Sequence, residues 1–224
     1  MTPSDHSSSS AAPAAGPAPV EASELTPAQV WQRLLEGNRR FVAGDANHPN
    51  QDSARRSSLT ESQHPIAVIF GCSDSRLAAE IIFDVGLGDV FVVRTAGQVI
   101  DDAVLGSLEF SVDELGVPLI VVLGHDSCGA VTATMNATDT ATTPSGFVRG
   151  LVERITPSVL SARRQGMTTV NETVEEHVKQ TAERIRDHSR SIHDAVASGR
   201  TAIMGVTYRL DEGRADVVSA IGDI

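Results

Sequence analysis

The 224-residue chain is long enough to bury one full core, and its formal net charge of −11 disfavours polyanionic partners, so we expect neither nucleic acid nor a membrane surface as a partner. Two cysteines are too few for a disulfide framework, and no apolar run approaches the ~18 residues of a membrane span. The Ser-, Ala- and Pro-rich start lacks the features of a secretory signal. We therefore expect a cytoplasmic protein with a disordered tail, residues 1–25, and a single α/β domain, residues 26–224.

The ordered domain is predicted to begin with an amphipathic helix. Thr26 is a favourable N-cap residue, Pro27 suits the first helical position, and Gly44 suits the C-terminal cap. Apolar side chains recur between them at helical spacing, at Val30, Trp31, Leu34, Leu35 and Phe41. Because this helix precedes every strand, its apolar stripe needs a surface to cover, which is either its own sheet or a partner subunit.

Apolar stretches rich in β-branched residues predict the strands, and helical patterns separate most of them. The predicted strands cover residues 66–70, 90–94, 118–123, 201–210 and 215–218, with a hairpin turn at 211–213. The further predicted helices cover 53–62, 77–83, 102–115 with Asp102 as the cap, a segment from Ala130, 147–162 with breaks at Gly150 and Pro157, and 170–198. Residues 136–146 are Thr-rich and are expected to be flexible.

This order of elements predicts the fold class. Strands that alternate with helices favour an α/β fold with a mainly parallel central β-sheet flanked by helices. The last strand pair adds an antiparallel C-terminal extension, and the first helix forms an N-terminal helical arm.

Two short motifs follow two of the buried strands directly. The first is GCSDSR at residues 71–76, and the second is GHDSCG at residues 124–129. Both cysteines of the chain lie in these motifs. The carboxyl ends of parallel strands meet at one edge of a sheet, which is where open α/β folds place their sites, so we expect the two motifs to meet in one crevice.

The side chains of these motifs suit a metal. Cys72, His125 and Cys128 offer two thiolates and one imidazole, a set well matched to zinc. Three protein ligands leave a position for water or substrate, as in catalytic sites, although another histidine such as His64 would close a fourth. A disulfide or a redox dithiol between the two cysteines is the alternative.

Asp74 and Arg76 lie beside the first predicted ligand. Zinc held by two thiolates and a neutral imidazole is formally neutral and acidifies water less strongly than zinc held by neutral ligands. Asp74 would compensate by orienting that water, or would bind the metal itself. Arg76 would hold Asp74 ionised through a bidentate pair. The alternative is an ordinary salt bridge in an exposed loop.

The paired motifs resemble those of the β-class carbonic anhydrases, and the likeness runs from about Trp31 to Tyr208. The resemblance implies reversible hydration of carbon dioxide to bicarbonate and a proton, by attack of zinc-bound hydroxide. It implies one zinc ion per subunit on Cys72, His125 and Cys128. It also implies that Asp74 and Arg76 act as the orienting dyad.

The resemblance extends to residues of the substrate cleft. Gln63 matches a glutamine that hydrogen-bonds substrate, Phe91 matches an apolar wall, and Gly129 would offer a backbone N–H. Phe110 stands where many members have tyrosine; ordinary core packing is the alternative for both phenylalanines. The family forms homodimers or homotetramers with clefts at the subunit interface, where the first helix clasps the partner.

The resemblance leaves limits and alternatives. Ile69 stands where some bacterial members have the tryptophan of a non-catalytic bicarbonate pocket, so the likeness does not extend to that switch. A zinc-bearing interaction protein without turnover is an alternative from another class. Relatives that hydrolyse carbon disulfide or carbonyl sulfide are a third reading.

Overall fold

The structure of the protein is a computed structural model that describes residues 25–224; the predicted tail, apart from residue 25, lies outside the described residues. The helices are α1 Pro27–Ala43, α2 Ser53–Ser58, α3 Ala79–Ile82, α4 Asp102–Asp113, α5 Gly129–Thr140, α6 Val148–Arg164, α7 Val170–His188 and α8 Arg190–Ala197. The strands are β1 Ala67–Cys72, β2 Val90–Thr95, β3 Leu119–His125, β4 Ala202–Tyr208 and β5 Ala215–Ile221.

The strands form one sheet in the order β2-β1-β3-β4-β5. The first four are parallel, and β5 runs antiparallel to β4 with a register irregularity at Gly205 and Val206. Every residue of β1, β3 and β4 is buried, as expected for strands covered on both faces. The predicted fold class is therefore confirmed, and the carboxyl ends of β1 and β3 lie side by side.

Helix α1 has the predicted ends and packs on its own chain. Thr26 and Gln29 form a reciprocal capping box, and Gly44 closes the helix in the left-handed region with a φ of 76°. Trp31 meets the ring of Phe83 edge-on, with centroids 6.4 Å apart. The buried stripe of the helix thus has a surface to cover within the same subunit.

Several helix predictions were wrong in detail. The helix predicted over 53–62 ends at Ser58. The helix predicted over 170–198 is two helices, because Ser189 adopts an extended conformation that ends α7 and caps α8. Its hydroxyl accepts from the N–H of Ile192 and donates to Glu109, so the break is hydrogen-bonded. Helix α4 is capped by Asp101 rather than Asp102.

The two remaining differences concern α5 and α6. Helix α5 takes in residues 136–140, where threonine side chains donate back to carbonyls one turn earlier. Helix α6 runs through Gly150 and Pro157 without a break. Its apolar face is buried on both sides of the proline, so tertiary packing outweighs the local cost.

Among residues 25–224, no helix is both long enough and apolar enough to cross a membrane.

Candidate metal centre

Cys72, His125 and Cys128 lie together at the carboxyl edge of the sheet. Their ligand atoms are within 4.8 Å of one another, and all three residues are buried. Cys72 ends β1 and His125 ends the neighbouring strand β3, so strand pairing brings them together. Ser127 has a φ of 52°, and this left-handed turn carries the chain back so that Cys128 precedes α5.

The ring of His125 is oriented as a metal ligand requires. Its Nδ1 lies 2.8 Å from the backbone oxygen of Asp126, and a carbonyl only accepts, so Nδ1 carries the hydrogen. Nε2 then holds a lone pair, yet it is buried without a hydrogen-bond partner. A buried acceptor beside two thiols fits a soft divalent cation such as zinc.

The two thiols interact strongly. The hydrogen bond with Cys128 lowers the pKa of Cys72 to about 4 against the opposing effect of burial. The same hydrogen bond, together with burial, raises the pKa of Cys128. The two thiols therefore titrate as a pair, and a metal ion held by both sulfurs would replace their protons.

Asp74 and Arg76 form a bidentate pair at the rim of this cluster. Arg76 donates from Nε to Oδ1 at 2.9 Å and from Nη2 to Oδ2 at 2.8 Å. Hydrogen bonding from Arg76 holds the pKa of Asp74 well below its usual range, so the carboxylate is ionised at neutral pH. Oδ2 lies 3.9 Å from Nε2 of His125.

Two residues that support this rim were not singled out from the sequence. Arg94, near the end of β2, donates to the backbone oxygens of Cys72 at 2.9 Å and Asp74 at 2.6 Å. Gly97 donates its N–H to the sulfur of Cys72 at 3.3 Å. An arginine at the end of an apolar strand was the signal for Arg94; nothing in the sequence alone points to the contact of Gly97 with Cys72.

The predicted cleft residues lie at different places. Gly129 begins α5, so its N–H belongs to the first turn and has no helical partner. Gln63 is exposed before the start of β1, whereas Cys72 ends that strand, which is about 16 Å long at 3.3 Å per residue. Phe91 and Phe110 contact each other with ring centroids 6.3 Å apart, and Phe110 is 46% exposed. Full core packing of Phe110 is thereby excluded.

A family model described as "Carbonic anhydrase" matches residues 67–215, more than half of the chain. The chain is 56% identical over 198 residues to a carbonic anhydrase of Mycolicibacterium smegmatis, covering 88% of this chain and 96% of that protein. Carbonic anhydrase 2 of Mycobacterium tuberculosis matches with the same identity and coverage.

Solved structures agree with these relatives. A Coccomyxa β-carbonic anhydrase in complex with acetazolamide superimposes with a TM-score of 0.65 at 25% identity, covering 84% of this chain and 86% of that one. A tetrameric β-carbonic anhydrase from Sordaria macrospora shares the fold with a TM-score of 0.65 at 20% identity, covering 86% and 98%. The chain therefore belongs to the β-carbonic anhydrase family, and its activity is that of a carbonic anhydrase.

Proposed function

We propose that the chain catalyses the reversible hydration of carbon dioxide to bicarbonate and a proton with one zinc ion per subunit. Cys72, His125 and Cys128 would hold the zinc. The observation that carries this proposal is the buried, unpartnered Nε2 of His125 beside the sulfurs of Cys72 and Cys128. When bound, zinc supplies a Lewis acid that lowers the pKa of water, so that hydroxide becomes available near neutral pH.

Asp74 would orient the nucleophile. Each carboxylate oxygen has two lone pairs. Arg76 donates to Oδ1 from both its backbone N–H and Nε, but to Oδ2 only from Nη2, so Oδ2 retains an acceptor position. An ionised carboxylate only accepts, so it would hold the O–H of the nucleophile and leave an oxygen lone pair free for the carbon of carbon dioxide. The proton that water loses in becoming hydroxide would pass to solvent. As the C–O bond forms, one C=O π bond of carbon dioxide would break and its electron pair would move to oxygen, which gives bicarbonate.

Asp74 also has a competing role as a metal ligand. Its carboxylate accepts three hydrogen bonds from Arg76, and it would have to give up some of them to reach the metal. Carboxylate and hydroxide then compete for one position, and rising pH favours hydroxide. The paired arrangement of Asp74 with Arg76 supports the orienting role.

Substrate contacts by Gln63, Phe91, Phe110 and Gly129 are part of the proposal. Gly129 would act from its own subunit, since it follows Cys128 directly. Gln63 lies at the far end of β1 from Cys72, so it would reach a cleft only from a partner subunit. This placement supports a homodimer or homotetramer in which clefts lie at the interface. The cytoplasmic location stays a prediction.

The experiment replaces one ligand and measures two quantities. We expect Cys72→Ala to lose bound zinc, measured by elemental analysis, and carbon dioxide hydration, measured by stopped flow with a pH indicator. Val68→Ala is the matched control, because it truncates a buried side chain of the same strand without removing a ligand. Hydration by a zinc-free Cys72→Ala protein at the wild-type rate would overturn the assignment.

A further inference from the structure

His177 is a buried histidine outside the ligand set. It lies on α7, it is 1% exposed, and its ring makes two contacts. Nε2 lies 2.9 Å from the backbone oxygen of Gly97, and Nδ1 lies 2.9 Å from the hydroxyl of Ser158. Because a carbonyl only accepts, Nε2 carries a hydrogen and donates it to Gly97.

The other ring nitrogen, Nδ1, shares its partner, the hydroxyl of Ser158, with a second acceptor. Burial lowers the pKa of His177 to about 4, so the ring is neutral at pH 7 and Nδ1 is an acceptor. The hydroxyl of Ser158 also lies 3.0 Å from Oε1 of Gln180, so its one hydrogen is divided between two acceptors. The contact with Gly97 is therefore the firmer of the two.

Gly97 connects His177 to the metal centre. Its carbonyl accepts from His177, and its N–H donates to the sulfur of Cys72. Its φ is 67°, and a Cβ at this position would come within 2.8 Å of Ala130 and Ile155. Gln98 follows with a φ of 40°, so two successive residues have left-handed backbone. Such a segment persists only when its surroundings hold it.

We propose that His177 is a positioning residue for the metal centre, which holds Gly97 so that its N–H stays on the thiolate of Cys72. The inference rests on the proposed zinc site. A hydrogen bond from an N–H withdraws charge from a thiolate, and such outer partners commonly change metal affinity by about 10- to 100-fold.

The surroundings of His177 argue against mere space filling. Val174, Val178 and Ala182 lie on the same helix and are fully buried. An apolar side chain would continue this stripe, whereas an imidazole must be desolvated and keeps its cost low only through hydrogen bonds. The acceptor of its hydrogen bond is the carbonyl of Gly97, whose own N–H donates to the sulfur of Cys72.

The experiment compares three full-length variants loaded with zinc or with Co²⁺. His177→Leu removes the donor, and His177→Gln places an amide N–H close to the position of Nε2. Thr201→Val is the matched control, because Thr201 is buried and donates to the backbone oxygen of Val117 at 3.0 Å, before the start of β3. Zinc transfer to a chromophoric chelator gives the release rate, and the thiolate-to-cobalt absorption band reports charge on sulfur.

We expect His177→Leu to release zinc about 10- to 100-fold faster than wild type, because Gly97 would no longer hold the Cys72 thiolate in position. Its cobalt band should move to lower energy, because the thiolate loses a hydrogen bond. His177→Gln should restore most of both values, and Thr201→Val should leave both unchanged. Wild-type release and band position in folded His177→Leu would overturn the inference, as would equal changes in Thr201→Val or no restoration by glutamine.

A second variant carries the test if His177→Leu does not fold. Ser158→Ala keeps the imidazole but removes the hydroxyl beside Nδ1, so we expect a smaller shift of the cobalt band in the same direction. A cobalt band of Ser158→Ala at the wild-type position would count against the inference. Failure of the wild-type protein to take up zinc or Co²⁺ would instead overturn the proposed function.

Discussion

At the scale of single residues, the pairing of Asp74 with Arg76 decides what the carboxylate can do. The two side-chain hydrogen bonds fix the plane of the carboxylate and lower its pKa. Neither property needs burial, since the Arg76 side chain is 53% exposed. Geometry rather than net charge is therefore the contribution of Arg76, because a guanidinium fork defines an orientation that a point charge does not.

We expect Arg76→Ala to lower kcat/KM for carbon dioxide hydration on the order of 10²-fold while zinc content stays constant. Without Arg76 the pKa of Asp74 rises toward its usual range but stays far below 7, so the loss comes from orientation and not from protonation. The freed carboxylate also competes better for the metal at low pH, so stopped-flow rates should fall more at pH 6 than at pH 9.

Arg214→Ala is the matched control for Arg76→Ala. Arg214 is 54% exposed and forms a similar fork to Asp216, two residues away, in the β4–β5 hairpin. Its removal should leave hydration unchanged. Equal losses in both variants, or full activity in Arg76→Lys, would contradict the orienting role.

At the scale of elements, Asp84 joins α1, α3 and the loop between α1 and α2. Its buried carboxylate accepts from Arg40 at 2.6 Å and from the backbone N–H groups of Asn47 and His48 at 3.0 and 2.8 Å. Burial raises the pKa of Asp84, but these donors outweigh it and hold the pKa below its usual range. The N-terminal part of the domain thus depends on one ionised group.

Asp84→Asn should lower the free energy of unfolding by about 2–4 kcal/mol at pH 7, since an amide cannot accept from all three donors. A group whose pKa is lowered by folding stabilises the folded state at pH values above its pKa in the unfolded chain. This stabilisation is lost as the pH falls through its pKa in the folded state. The difference between wild type and variant in urea titrations should therefore shrink below about pH 4.

The exposed pair of Arg190 with Asp194 provides the comparison for this prediction. Asp194→Asn should change the free energy of unfolding by less than about 1 kcal/mol. A difference for Asp84→Asn that stays constant from pH 7 to pH 3 would show that its carboxylate does not act through ionisation.

At the scale of the whole molecule, the metal centre joins segments that are far apart along the chain. Cys72 and His125 lie 53 residues apart and end neighbouring strands, so a metal held by both would join the carboxyl ends of β1 and β3. Metal binding to the folded state alone stabilises it by mass action.

Removal of zinc by a chelator should lower the thermal unfolding temperature, and added zinc should restore it. Free zinc at 100 times its dissociation constant contributes about 2.7 kcal/mol. Mg²⁺ should not substitute, because it prefers oxygen ligands. Calorimetry on wild type and Cys128→Ser checks this, and an equal response to zinc in both proteins would contradict the ligand set.

Local patterns in the sequence were sufficient for most of the elements and for the chemistry of the site. Helix α1 begins after Thr26 and ends before Gly44, because the N-cap hydrogen bonds and the left-handed C-cap involve only neighbouring residues. The apolar runs before GCSDSR and GHDSCG predicted buried parallel strands, whose direction alone brings their carboxyl ends to one edge. The grouping of Cys72, His125 and Cys128 follows from that direction, and it is confirmed.

Only the tertiary structure decided the features that depend on contacts between distant segments. Ser189 divides α7 from α8 because Glu109 of α4 accepts its hydroxyl hydrogen, and α6 continues through Pro157 because its apolar face is buried on both sides of it. The link from His177 through Gly97 to Cys72 joins three positions whose separations carry no periodic signal. Periodicity reports which residues are buried, whereas the partner of a buried polar atom is set by the packing of the whole chain.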